Sequence, residues 1–449
     1  MPSAAAAQIM SFDPSFTAHF GDRPLSLAEA LIIPSVLPRF LSEFLYQVLS
    51  LKPGGRKEAM VAQLTIAAIV LAAWLYLIVA RGGFWRAAER DDAGALLAAL
   101  PPQRPSVTAV VPARDEAETV GETIASLLRQ DYGGPFNVIL VDDQSRDDTA
   151  RVAREAAAAL GASDRLTVIA GRPLPAGWTG KLWAQNQGVD SAAQAPNPPG
   201  YLLLTDADIV FAPGVLASLI ARAEQQGLGL NSLMVKLRCK SFAERMFVPA
   251  FVFFFQMLYP FAWVDDPRRA TAAAAGGCML VKREALQAAG GLASIRDALI
   301  DDCALAKLLK ARGPIALALT DNAHSLRAYP SIGDIRHMVA RTAYAQLGYS
   351  PLVLAGTVLG LALTYLAPVA LTLFAEDFAQ FAGLFAWALM AVAFRPILRF
   401  YGLSGLRSWL WAAALPAIAA IYMAFTLDSA YQHARGRGGM WKGRAQANI

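Results

Sequence analysis

One stretch constrains this chain more than any other. Val61 to Ala80, VAQLTIAAIVLAAWLYLIVA, contains no charged residue. A helix rising about 1.5 Å per residue over that length crosses a hydrocarbon core of about 30 Å. Arg81, Arg86 and Arg90 follow at once, and an excess of basic residues marks the cytoplasmic flank of a membrane helix. The segment therefore reads as an anchor with the downstream chain in the cytoplasm. It starts too far along, and lacks the small-residue cleavage site, for a signal peptide. Composition agrees: of 449 residues 55% are hydrophobic and 17% charged, where soluble domains carry about a quarter charged residues. That excludes an ordinary soluble enzyme and a disordered chain.

Around this anchor the character of the chain changes several times. Residues 1–60 hold an apolar stretch, Leu25 to Leu51, interrupted by Glu29, Pro34, Pro38, Arg39 and Glu43, which suggests an amphipathic helix lying on a membrane surface. Residues 61–80 are the anchor and 81–105 a linker with Pro101, Pro102 and Pro105. Short apolar runs then alternate with amphipathic ones. Strands are expected at 107–111, 136–141, 166–169, 201–204 and 228–235, and helices at 117–130, 147–160, 181–193 and 213–225. This alternation predicts an α/β domain over 106–350, a mostly parallel sheet with helices on both faces. Ligands bind such sheets beyond the carboxyl ends of the strands. Apolar blocks at 352–375, 378–394 and 409–427 predict membrane helices within 351–430, followed by a basic tail, 431–449. Three crossings would put that tail outside, against the positive-inside rule, so one block is expected to be re-entrant or interfacial. A further run, 246–264, is expected to be an interfacial or groove-lining helix, because a crossing there would separate the acidic motifs on either side of it.

Those motifs carry the chemistry. VVPARDEAETV ends a strand at Val111 and brings Pro112, Arg114, Asp115 and Glu116 to the N-terminus of a helix, whose backbone N–H groups suit an anion. VDDQSRDDTA closes the next strand with Asp142 and Asp143, placed to accept hydrogen bonds from a base or ribose, while Ser145 and Asp147 suit a helix cap. In YLLLTDADIVFAPG, Asp206 and Asp208 follow a buried strand one residue apart, so both can address a hard divalent cation. Asp301 and Asp302 open a helix after the glycines of GGCMLV, a position suited to a general base facing a small-residue pocket. Helix capping alone would account for several of these acids, but not for all of them at strand ends. Cys239, Cys278 and Cys303 are odd in number and lack ligand spacing, so neither a disulfide framework nor a zinc site is expected.

In order along the chain, VVPARDEAETV, VDDQSRDD, GKLWAQNQG, TDADIVFAPG, GGCMLV and IDDCALA resemble a family 2 glycosyltransferase of the GT-A fold, over about Val107 to Tyr349. With the anchor, the C-terminal apolar blocks and the tail motif GMWKGR, the chain is most similar to the bacterial hopene-associated glycosyltransferases. The resemblance implies that Pro112, Arg114, Glu116, Asp142 and Asp143 line the nucleotide site and that Lys181 approaches the donor. It implies that Asp206 and Asp208 serve Mg²⁺ or Mn²⁺ and the diphosphate, and that the base is Asp302 or its neighbour Asp301, which replaces the family's usual glutamate, with Asp302 the first choice. Arg341 would meet the leaving diphosphate. It lies in HMVARTAYAQL, where Thr342 stands in place of the tryptophan of processive polysaccharide synthases.

The implied reaction is inverting transfer from a nucleotide-diphosphate sugar, expected to be a UDP-sugar, to a lipid hydroxyl in hopanoid or related lipid synthesis at the inner membrane. Two alternatives stay open: transfer to a polyprenyl phosphate, and a non-catalytic lipid-pathway scaffold with a degenerate fold. The net charge of +5 suits anionic lipid or phosphate, and no motif points to nucleic acid.

Overall fold

The computed structural model describes residues 56–91 and 100–436, with the backbone of 440–441 and 444–445. The expected amphipathic stretch Leu25 to Leu51 lies outside them. The chain divides into two compact units, 1–62 and 63–449, and the architecture below belongs to the second.

Eight strands form one sheet: β1 (Val107–Ala113), β2 (Phe136–Asp142), β3 (Leu166–Ala170), β4 (Tyr201–Leu204), β5 (Ile209–Phe211), β6 (Leu230–Lys236), β7 (Met279–Lys282) and β8 (Ile315–Ser325). Their order is β3-β2-β1-β4-β7-β6-β8-β5. The pairs β1·β2, β2·β3, β1·β4 and β6·β8 are parallel, whereas β4·β7, β6·β7 and β5·β8 run antiparallel. The sheet is thus mixed, less uniformly parallel than the alternating pattern predicts. The reversal has a local cause: the turn at Gly276 and Gly277 lies at the carboxyl end of β4, where Thr205 Oγ1 donates to Gly277 O at 2.7 Å. From there β7 can only run back down the sheet.

Strand alternation divides the interior in two. Val107, Ala109 and Val111 of β1, Leu203 of β4 and Ala316 and Ala318 of β8 enter one core. Val110, Leu202, Leu204, Leu317 and Leu319 point the other way, into a core that also holds Trp74, Phe253, Tyr365, Phe394 and Tyr422. Period-two side-chain placement explains the split. One sheet face is covered by the helices Val120–Leu128 and Val215–Gln226. The opposite face is continuous with the apolar helices of the chain's two ends.

Among the described residues, three helices are long and apolar enough to cross a membrane: Glu58–Val79, Pro351–Phe374 and Asp377–Phe400. The pair Gly405–Ala413 and Leu415–Ala434 makes a fourth if taken as one span, bent by 50°. Pro416, in the first turn of the second member, cannot donate a backbone hydrogen bond to the helix before it. The bend falls in the last of the three expected C-terminal blocks. The run expected as one helix over 246–264 is two, Phe242–Leu258 and Phe261–Asp265, divided at Pro260. The longer one is inserted among the C-terminal helices: Phe253 meets the Phe394 ring at 5.3 Å, Phe254 meets Tyr365 at 5.6 Å, and Tyr422 donates to Phe247 O at 2.8 Å.

Candidate active site

Four polar loops converge at the carboxyl ends of β1, β2 and β4. The loops after β1 and β2 are tied together first. Ser145 Oγ accepts from Asp115 N at 3.0 Å, Asp115 Oδ1 from Arg146 N at 2.7 Å, Thr149 Oγ1 from Glu116 N at 2.9 Å and Asp147 Oδ2 from Ala117 N at 3.0 Å. Asp115 and Gln144 sit at φ 51° and 57°, a left-handed conformation that side chains adopt only where surroundings enforce it. The N–H groups of Glu116 and Ala117, in the turn ahead of the Val120–Leu128 helix, are engaged by Thr149 and Asp147, so this stretch of backbone is held by the neighbouring loop. Ser145 likewise serves Asp115, while Asp147, one residue before the N-cap Asp148, accepts from Thr149 N at 3.1 Å.

Arg114 and Asp143 lie beneath this latch. Asp143 is fully buried, and Arg114 donates to its carbonyl at 2.5 Å with the carboxylate at 3.8 Å. These two brace the loops from below, whereas Asp142 is half-buried and accepts from Ser145 N through Oδ1. Pro112 is buried within β1.

The centre of the site is an ion-paired cluster. Lys181, in the first turn of the Gly180–Ala193 helix, places Nζ 2.9 Å from Asp206 Oδ1 and 3.1 Å from Asp301 Oδ2. Burial pulls its pKa down, but Asp206, Asp301 and Asp302 outweigh that and hold it above the usual lysine range. Asp302 accepts from Gly276 N at 2.9 Å and from its neighbour Cys303 N at 2.7 Å. Burial, reinforced by the charge of Asp301, pushes the Asp302 carboxyl up to about 6 despite Lys181. Gly276 leaves room for this pair: a Cβ there would lie 3.1 Å from Lys181 Nζ and 3.4 Å from Asp302 Oδ2. Asp206 is also raised, by burial against the pull of Lys181, and its Oδ2 meets no described residue.

Beside this cluster stands a residue that the sequence motifs do not single out. Arg327, just past β8, donates to Glu116 Oε1 at 2.7 Å and to Asp208 Oδ2 at 3.2 Å, and Ser325 Oγ donates to the same Asp208 oxygen at 2.9 Å. Arg327 thus joins the loop after β1 to the loop after β4. Its only sequence signal is a cation directly after a buried strand. Arg341 is exposed at the end of the Ile332–Ala340 helix and makes no ion pair among the described residues. It lines a small cavity with Leu299, Tyr349 and His433, and no described contact joins it to the Lys181 cluster. His324 is exposed on β8. Of the tail motif, the described part is the backbone pairing of Met440–Trp441 with Arg444–Ala445.

Residues 102–331 match the family described as glycosyltransferase like family 2, slightly more than half of the chain. The chain belongs to that family. The match contains every carboxylate of the cluster and Arg327, and ends before Arg341. Among curated proteins, this family member is 30% identical over 202 residues to the 4,4'-diaponeurosporenoate glycosyltransferase of Staphylococcus aureus strain bovine RF122 / ET3-1, covering 44% of this chain and 50% of that one. The same figures hold for the USA300 protein. The chain spans about half the length of the curated relatives it matches. Among solved structures, a mannosyltransferase of Pyrobaculum calidifontis in complex with GDP-Man and Mn2+ aligns with 85% of this chain and 100% of its own, at 20% identity and TM-score 0.46. A glucosyl-3-phosphoglycerate synthase of Mycobacterium tuberculosis in complex with Mg2+ and UDP aligns with 57% of this chain and 83% of its own, at 17% identity and TM-score 0.35.

Proposed function

We propose that the chain moves a sugar from a nucleotide-diphosphate donor, a UDP-sugar, to the hydroxyl of a membrane lipid, with inversion at the anomeric carbon and with the catalytic domain in the cytoplasm. The observation that carries this reading is the meeting of Lys181, Asp206, Asp301 and Asp302 at the strand ends. A cation beside one carboxylate raised towards neutral pH suits charge separation and proton removal in a single step. The relatives' name, 4,4'-diaponeurosporenoate glycosyltransferase, and the apolar helices that share a core with the site support a lipid acceptor. A hopanoid or related lipid is the proposed class.

Each residue then has a task. Asp302 takes the proton of the acceptor hydroxyl as its oxygen bonds to the anomeric carbon, and the bond from that carbon to the diphosphate breaks on the opposite face. Lys181 offsets the negative charge left on the diphosphate. Asp301 holds Lys181 in place rather than acting as base, because its Oδ2 faces the ammonium. Asp142 and Glu116 offer the base and ribose their partners, with Arg114 and Asp143 bracing the loop beneath.

A divalent cation fits Asp206. Its carboxylate is 36% exposed and leaves one oxygen unengaged, and Mg²⁺ commonly takes one or two carboxylates with substrate phosphates and water. Among the described residues no three His, Cys, Asp or Glu form a complete cage, so the diphosphate itself would complete the shell. Asp208 Oδ2 is held by Arg327 and Ser325, so Asp208 would contribute through Oδ1 or after Arg327 yields. Such a cation, when bound, supplies further charge stabilisation for the leaving group.

The test uses the detergent-purified chain, UDP-sugars, Mg²⁺ or Mn²⁺ and a lipid extract. Asp302→Asn should lower turnover about 10²–10⁴-fold, the usual contribution of a positioned base, and Asp206→Asn should lower it through loss of the cation's carboxylate. Wild-type turnover in both variants overturns the mechanism. Loss in Asp206→Asn alone would identify an acceptor that is already anionic, a polyprenyl phosphate.

A further inference from the structure

One aromatic hydroxyl beside the cluster has no task in the scheme above. Tyr259 directly follows the apolar helix Phe242–Leu258 and is half-buried, its ring 5.2 Å from that of Phe255. Gln346, the last residue of the short helix Ala343–Gln346, donates through Nε2 to the Tyr259 hydroxyl, and this bond is exposed. The short helix is in turn fixed to Leu415–Ala434: Tyr344 N donates to Ser429 Oγ at 3.0 Å, and the Tyr344 ring stands 5.3 Å from His433. Tyr259 is thus held between two elements that are packed on the apolar helices.

What the hydroxyl faces is the proposed base. Cys303 lies within hydrogen-bonding reach of it, and the charge of Asp302 acts on it as well. Cys303 Sγ lies 4.0 Å from Ala274 O, and Asp302 Oδ2 accepts from Gly276 N. Both side chains therefore border the segment 274–276, and Tyr259 closes the same space from the side of the apolar helices. Because Gln346 is the donor in its bond, the proton of the phenol is directed elsewhere. Among the described residues it meets the Cys303 sulfur, a weak acceptor. An oxygen entering beside Asp302 is a better one. Burial, and after it the neighbouring Cys303 and Asp302, pushes the Tyr259 phenol up to about 12, so it keeps its proton at neutral pH and remains a donor.

We infer that Tyr259 contacts the acceptor: its hydroxyl, aimed by the Gln346 amide, donates to the oxygen of the lipid hydroxyl that Asp302 deprotonates. The assignment rests on the sugar-transfer reading and deepens it. A hydroxyl oxygen carries one proton and two lone pairs. The proton goes to Asp302, one lone pair forms the bond to the anomeric carbon as the bond to the diphosphate breaks, and the other lone pair accepts from Tyr259. Tyr259 ends with the proton it began with. Two hydrogen bonds in place of one fix the direction of the attacking lone pair, which is where orientation contributes to rate.

The experiment measures sugar transfer by the detergent-purified full chain while the lipid extract and the UDP-sugar are titrated in turn. Wild type is compared with Tyr259→Phe, which keeps the ring and its packing on Phe255, and with Gln346→Ala, which removes the aiming donor. Tyr259→Phe is expected to lower kcat/KM for the lipid about five- to tenfold, the worth of one hydrogen bond between neutral groups, with KM for the UDP-sugar and the unfolding midpoint unchanged. Gln346→Ala should lower the same constant by a smaller factor. A merely structural bond would instead lower the midpoint or move the constants of both substrates together. That result, or a wild-type lipid constant in Tyr259→Phe, overturns the proposal. Failure of the sugar-transfer reading looks different: wild type itself then transfers no sugar to the extract, and the assignment falls with it.

Discussion

Arg327 offers the sharpest test of how the site is held together. Replacing it with glutamine removes two charge-assisted hydrogen bonds, to Glu116 at 2.7 Å and to Asp208 at 3.2 Å. Such bonds contribute about 1.5–3 kcal/mol each when buried. The Arg327 side chain is 38% exposed, so solvent screening takes a substantial share of that. Two partners also remain: Ser325 still donates to Asp208 and Thr119 still approaches Glu116. A net loss of about 2 kcal/mol follows, less than the sum of two full bonds. For a domain of this size about 1 kcal/mol corresponds to about 2–4 °C, so the unfolding midpoint should fall by about 4–8 °C at a fixed scan rate. A cycle with Glu116→Gln checks the cause: because both substitutions remove the same bond, the double variant should lose about 1 kcal/mol less than the two singles added. A midpoint within about 1 °C of wild type, or strict additivity, would refute the bridging role.

Other expectations are equally direct. Asp302 must be ionised to accept a proton and its carboxyl is raised to about 6, so turnover should fall as pH drops through about 6; a profile flat down to pH 5 would contradict its role. Gly276→Ala puts a methyl group against Lys181 Nζ and Asp302 Oδ2 and should cut turnover about 10²-fold, the effect of a misplacement of about 1 Å, with the unfolding midpoint nearly unchanged. Gly188→Ala forces a methyl into the Val110 side chain and should destabilise by about 1–3 kcal/mol, an overpacking effect, measurable as a lower midpoint. Glu244 is held below the usual glutamate range by three backbone N–H donors and Arg238, against the opposing effect of burial. Its stabilisation is therefore present above the unfolded value and lost as pH falls through the lower folded value. Glu244→Gln should lower the midpoint at pH 7 and converge with wild type in strong acid.

The strands were legible because buried sheet strands read as unbroken apolar runs, and β1, β2 and β4 do. The carboxylates at their ends were legible as a group, because capping does not explain adjacent acids at a strand tip. Their division of labour was not. Asp142 and Asp143 are neighbours of one type, and only the fold shows that Asp143 is buried against Arg114 while Asp142 faces the loop. The engagement of the Glu116 and Ala117 N–H groups depends on Thr149 and Asp147, contacts that no local pattern encodes. Arg327 was hidden for a related reason: its partners come from two other loops more than a hundred residues away. The apolar run over 246–264 is hydrophobic around most of its circumference, so periodicity could not distinguish a helix at a membrane surface from one inserted between other helices.

The two cores explain why the site and the apolar helices belong to one device. Asp208 and Glu116 stand on loops whose neighbours Ala207, Ile209 and Val120 enter the core beneath the helices Val120–Leu128 and Val215–Gln226. Lys181 and Asp302 stand on helices whose Leu182, Ala184, Leu305 and Leu309 enter the other core, together with Phe253, Phe394 and Tyr422 of the apolar helices. The proposed base and the ammonium beside it are thus packed with the apolar helices, whereas the loops after β1 and β2 proposed to hold the nucleotide are latched to each other. Arg327 and the Lys181–Asp206 pair cross the seam between the two.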